Sequence, residues 1–144
     1  MPTTIEIKNL VKHFGKVKAV DGINISIKKG EIFGFLGPNG AGKTTTIRCL
    51  MDFIRPTSGK VQILGRDTQV DSVELKKKIG YLSDSARFYD HWSAKKHFDF
   101  QQGFKGRSKS LAGLIRLFGL TSRQRFANLS SGNKRKLSII LALI

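Results

Sequence analysis

Three features of this 144-residue sequence predict an α/β fold. Its first third holds segments in which apolar and polar residues alternate, the period of a strand with one buried face. A short apolar run, a glycine-rich loop and a helical pattern then follow without a break. From Trp92 onward the apolar spacing becomes that of helices.

Taken in order, Ile5 to Val11 and Ile23 to Ile27 alternate and read as strands, with a turn at Lys28-Lys29-Gly30-Glu31. Ile32-Phe33-Gly34-Phe35-Leu36 is a continuous apolar run, the pattern of a strand buried on both faces. A helix is expected from about Lys43 to Phe53, broken by Arg55-Pro56-Thr57-Ser58-Gly59. Val61 to Gly65 reads as a strand, Ser72 to Lys78 as a short helix and Ile79 to Leu82 as another strand. Ser93 is placed to cap a helix reaching about Phe104. Ser110 to Phe118 forms another, with Gly119 as its stop, and a last helix starts near Ser131. That helix is still apolar at Ile144, so further sequence is expected beyond it.

Composition narrows the function classes. Apolar residues make up 40%, ordinary for a globular chain. Cys49 is the single cysteine, so no disulfide can form within the chain. The first residues lack a basic stretch followed by an apolar core, and no secretory signal is read there. The longest apolar run, Ile139 to Ile144, is far shorter than the roughly 20 residues that span a bilayer. The net charge of +16 admits nucleic acid, an anionic membrane surface or a missing acidic portion as its counterpart. Scattered lysines favour a solvated surface balanced by the rest of the protein. No nucleic-acid motif interleaves aromatics with them, and no specific nucleic-acid partner is expected.

Gly37-Pro38-Asn39-Gly40-Ala41-Gly42-Lys43-Thr44 fits the pattern G-x-x-x-x-G-K-[ST] without a gap. Glycines allow the backbone to curl so that several N–H groups point at phosphate oxygens. The helix that follows turns its positive end to the same anion. Lys43 supplies a point charge for the β- and γ-phosphates. The Thr44 hydroxyl is placed to ligate Mg²⁺, and Thr45 to bond a phosphate oxygen. The expected ligand is therefore a nucleoside triphosphate with Mg²⁺. The three histidines, His13, His91 and His97, show no metal-binding spacing, and Cys49 reads as core.

Leu129-Ser130-Ser131-Gly132-Asn133 stands at the start of the last helix. With the phosphate loop before it, this stretch resembles the Leu-Ser-Gly-Gly-Gln signature of ABC ATPases. Ser131 replaces a glycine and Asn133 the glutamine, while Ser130 and Gly132 are kept. The resemblance covers the whole chain. It implies that Phe14 stacks on adenine, with Val20 as the small apolar neighbour of the base. Ile79 to Asp84 is similar to the stretch that ends in Pro-Gln in the family, which would put Asp84 at the glutamine that touches Mg²⁺.

The resemblance also implies an architecture. A P-loop core of mixed β structure with an antiparallel β portion would comprise residues 1–91 and 125–144, with a helical subdomain at about 92–124. The family's strand ending in Asp-Glu and its γ-phosphate histidine would lie beyond Ile144, so no catalytic residue is expected within the chain. The chain alone would bind nucleotide without turnover. The longer protein would be an ATPase at the cytoplasmic face of a membrane. It would pair head to tail with a second ATP-binding domain and drive transport through a transmembrane permease subunit. The stretch from Leu129 to Leu137 looks most like exporters of the ABC-2 kind. A non-transport ABC ATPase of translation or DNA metabolism is the alternative, and a nucleotide-binding fragment without activity is a third reading.

Overall fold

The computed structural model describes residues 1–83, 86–121 and 123–144. Two compact units divide the chain, Met1–Lys78 and Ile79–Ile144. The first is built on a four-stranded antiparallel sheet and the second on helices.

In the first unit, β1 (Thr3–Phe14) and β2 (Val17–Lys28) form a long hairpin. Its two-residue turn needs a positive φ, which Gly15 supplies at +57°. Pairing advances from Ile7 opposite Ile25 to Leu10 opposite Ile23, so β1 carries one extra residue there. Asn9, at φ +47°, takes up that bulge. Its backbone N–H donates to the Asn24 side chain at 2.9 Å, and the Asn24 amide donates back to the Asn9 side chain at 3.1 Å. The bulge resets the two-residue alternation, so Ile7 and Leu10 both face the core although they lie three apart.

The sheet continues through β3 (Ser58–Ile63), paired with β1, and the two-residue β4 (Arg66–Asp67), giving the order β2-β1-β3-β4. Gly59 lies so close to β1 that a Cβ there would collide with the Asn9 carbonyl. Helix α1 (Lys43–Leu50) adds Cys49 to a core of Ile7, Leu10, Val20 and Val61. A short α2 (Ser72–Lys76) closes the unit, with Leu75 buried.

In the second unit, α3 (Ala94–Lys105), α4 (Leu111–Phe118) and α5 (Ser131–Leu143) surround a separate core. Ala94, Phe98, Leu120, Leu129, Leu137 and Ile140 are its buried members. Burying a side chain such as Phe98 contributes about 1.5–3 kcal/mol. The expected ends hold. Ser93 caps α3 by accepting from the Lys96 N–H at 3.2 Å, and Gly119 ends α4 in the left-handed conformation.

Two strand expectations do not hold. Ile32 to Leu36 joins no strand of the described sheet, and Ile32 and Leu36 are 100% and 90% exposed. A strand buried on both faces needs a neighbour to accept its hydrogen bonds, and none of the described strands lies beside this run. Ile79 to Leu82 is likewise irregular. It is held instead by close packing under α5, where a Cβ on Gly80 would meet the Ala142 carbonyl. The helix expected to reach Phe53 stops at Leu50, before the turn that contains Asp52 at φ +49°. In the helical unit Phe98 is buried in the core, whereas Phe100 and Phe104 are exposed.

Candidate functional site

Gly42 sets the geometry of the glycine-rich loop. It precedes α1 in the left-handed conformation, φ +82°, and a Cβ there would run into the Ala19 carbonyl and lie 3.1 Å from Val20 Cγ2. Only glycine can bring the loop this close to β2. Gly40, at φ +85°, turns the loop one step earlier.

No side chain caps α1, and its first turn holds no acidic residue. The peptide N–H groups at this end and the positive pole of the helix therefore face outward. They face a cavity of about 200 Å³ lined by Ala19 together with Asn39, Gly40, Gly42, Lys43, Thr44 and Thr45. Gly37 and Pro38 complete the loop from the other side. The Lys43 ammonium donates to their carbonyls at 2.6 and 2.7 Å, and Ala41 N–H donates to Pro38 at 3.3 Å. Thr46 is different. Its hydroxyl and its N–H both donate to the Gly42 carbonyl, so it anchors the helix and is buried.

The structure thus brings Asn39, Gly40 and residues 42–45 together around one cavity, with Gly37 and Pro38 joined to it through Lys43. Sequence reasoning missed Ala19, which shapes that cavity through a carbonyl and a small side chain that no motif marks. Val20 is 5% exposed and belongs to the core beneath Gly42. Phe14 sits half exposed at the end of β1, with the Lys12 ammonium 4.9 Å from its ring centre.

The second candidate set lies in the helical unit. Leu129 is buried in its core and fixes the entry to α5. Ser130 is the N-cap and accepts from the Asn133 N–H at 3.3 Å. Gly132 has open space where a Cβ would point. Lys134 lies over the Phe126 ring at 5.1 Å. Asp84 lies outside the described residues.

A glycine-shaped loop running into an open helix N-terminus, in a chain of sheet and helices, defines the class of phosphate-loop folds. Comparison with known proteins narrows that class. The family model for ABC transporters matches residues 20–144. The bacitracin transport ATP-binding protein BcrA of Bacillus licheniformis is 35% identical over 148 aligned positions, covering 100% of this chain and 48% of that protein. The probable multidrug ABC transporter ATP-binding protein YbhF of Escherichia coli (strain K12) is 34% identical, covering 99% of this chain and 26% of that one. Among solved structures, the ATP-binding subunit of an ABC transporter superposes with a TM-score of 0.86 at 23% identity, covering 96% of this chain and 60% of that one. An ATP-binding cassette in a dimeric post-hydrolysis state, bound to ADP and phosphate, superposes at 0.80 with 25% identity, covering 96% and 68%.

The chain belongs to the ABC transporter ATP-binding family, and its fold is that of the family's cassettes. It spans about half the length of a curated relative such as BcrA. Among the described residues, no helix is long and apolar enough to cross a membrane.

Proposed function

We propose that the chain binds Mg-ATP at the cavity formed by residues 37–45. One observation carries this reading. Gly42, forced against the Ala19 carbonyl, leaves the uncapped end of α1 facing a cavity that Lys43, Thr44 and Thr45 also line. Backbone N–H groups and the Lys43 ammonium receive the phosphates. Phosphate oxygens bear full charges and replace the carbonyl dipoles of Gly37 and Pro38 as acceptors for Lys43.

Thr44 is exposed at the cavity, and its single hydroxyl suits a cation that keeps several waters and bridges phosphates. Mg²⁺ supplies charge neutralisation for the β- and γ-oxygens when bound. Phe14 offers a half-exposed ring for adenine, and Val20 supports the loop from below.

In the longer protein we propose ATP hydrolysis coupled to transport through a separate transmembrane subunit, at the cytoplasmic face of the membrane. Two ATP-binding domains would meet head to tail, with Leu129, Ser130, Ser131, Gly132 and Asn133 facing the nucleotide of the opposite domain. Gly132 supports this reading. A glycine inside a helix costs about 1 kcal/mol relative to alanine, and among the described residues no atom lies within 4 Å of where a Cβ on Gly132 would point. Residues 1–91 and 125–144, which include this face, would form the core, and about 92–124 the helical subdomain.

Calorimetric titration with Mg-ATP tests the site. Lys43→Ala removes a charge-assisted contact of roughly 1.5–3 kcal/mol, which is a loss of about ten- to a hundredfold in affinity. Equal affinity in variant and wild type refutes the assignment.

A further inference from the structure

Lys12 is unlike the other lysines of the β1–β2 hairpin. Lys16 and Lys18 are exposed, whereas Lys12 is half-buried on β1. Lys18 pairs with Asp21 at 3.4 Å and Lys8 with Glu6 at 3.0 Å. Among the described residues, no carboxylate pairs with Lys12. Its ammonium lies over the Phe14 ring instead, 4.9 Å from the ring centre. An ammonium drawn partly out of water needs a compensating group, and the negative face of an aromatic ring is one.

This end of the hairpin also reaches the proposed nucleotide cavity. Lys12 pairs with Val20 and His13 with Lys18, so Ala19 is an extra residue in β2. That bulged residue is the one whose carbonyl meets Gly42 and which lines the cavity. The charge of Lys12 is felt on the phosphate-loop helix as well. Burial pushes the Cys49 thiol above its ordinary pKa, and Lys12 pulls it back. Phe14, two residues further along β1, keeps half of its surface in water.

We propose that Lys12 is a positioning residue for the base: its ammonium covers one face of Phe14 and leaves the other to the nucleobase. The proposal rests on the reading of Phe14 as the ring that receives the base. Two effects follow from the geometry. The cation holds the ring in place before the nucleotide arrives, so less freedom is lost on binding. It also draws ring electron density toward the covered face. The open face then stacks best on an electron-rich base, so a purine is favoured over a pyrimidine. A ring without such a partner stacks on any base.

Calorimetric titration with Mg-ATP, Mg-CTP and inorganic tripolyphosphate with Mg²⁺ tests this. Tripolyphosphate has the phosphates of ATP without its base. Lys12→Met keeps the length of the side chain and removes its charge. It should lower ATP affinity about three- to fivefold, narrow the preference for ATP over CTP and leave tripolyphosphate affinity unchanged. Lys12→Arg retains a cation that stacks on the ring and should restore affinity and preference. Phe14→Leu should lower ATP affinity, and adding Lys12→Met to it should change nothing further. Equal losses for ATP and tripolyphosphate would make Lys12 a general charge near the phosphates and overturn the proposal. Additive losses in the double variant would also overturn it. If only the Lys12 variants bind as wild type, Phe14 keeps its role and the proposal alone is overturned. If Phe14→Leu binds ATP as wild type does, the reading of Phe14 fails and the proposal falls with it.

Discussion

Helix α1 of the first unit and helices α3 and α5 of the second fix their N-termini in opposite ways. In residues 1–78, α1 starts after a left-handed glycine with no side-chain cap, so its peptide N–H groups stay available. In residues 79–144, α3 and α5 start after Ser93 and Ser130, and each hydroxyl takes up an N–H of its own helix. The first arrangement is made by backbone shape and leaves the helix end open to an anion. The second is made by a side chain and spends part of that capacity within the chain. Sequence chemistry at one position, glycine or serine, separates an end left open to an anion from an end that first stabilises its own helix.

The sharpest way to break this contrast is to change Gly42. In Gly42→Ala the methyl group meets the Ala19 carbonyl, and alanine is strained at φ +82°. Backbone must move, because neither neighbour is the end of a flexible side chain. A loss of more than about 2 kcal/mol of stability is expected, together with loss of Mg-ATP binding. Urea unfolding and titration of the same sample measure both. A variant as stable as wild type would show that the tight approach to β2 is not required.

A smaller effect is expected at Ser130. Ser130→Ala removes the N-cap of α5 and should cost about 1 kcal/mol, with Mg-ATP affinity at residues 37–45 unchanged. Thermal unfolding by circular dichroism gives the first quantity and titration the second. If Ser130→Ala leaves stability untouched, the hydroxyl does not serve the helix and the contrast between the two ends fails.

The sequence discloses these ends unequally. Ser93, Gly119 and Ser130 are legible because a cap acts on residues three or four positions away, within one stretch of chain. The phosphate loop is legible for the same reason, since its glycines, lysine and threonine are contiguous. Ala19 is not, because its role arises only when β2 passes beneath Gly42. Asn9 is not, because its bulge shows only when the pairing partner is known. Ile32 to Leu36 misleads for a related reason. An apolar run reads as a buried strand from composition alone, but becoming one requires a neighbouring strand that a local pattern does not contain. Phe100 and Phe104 show the same limit, since apolarity gives no direction on a helix whose other face already fills the core.

The reliance of the second unit on side chains gives it one titratable support. His97 is 5% exposed among aromatic rings. Its Nε2 accepts from the Tyr89 N–H at 3.2 Å, and its Nδ1 lies 2.9 Å from the Ser93 carbonyl. The neutral ring protonated at Nδ1 satisfies both contacts, whereas a proton on Nε2 would face the Tyr89 N–H. Burial is the main cause that pushes the His97 pKa below its ordinary value of 6.5. The Ser93 carbonyl pulls the other way, and His91 adds to the depression. A depressed value means that the folded chain prefers the neutral ring. Its contribution to stability is therefore complete above pH 6.5 and declines as the pH falls below that value toward the lower folded one. Residues 1–78 contain no group with this arrangement among those described whose pKa is shifted. Acidification should accordingly loosen the helical unit first. Thermal unfolding at about pH 7.5 and about pH 5.5, followed through Trp92 fluorescence, should show a lower midpoint in acid. His97→Phe keeps an aromatic ring in the cluster and removes the proton site, so its midpoint should shift less over the same interval. An equal shift in both proteins would place the acid sensitivity elsewhere and leave His97 a packing residue.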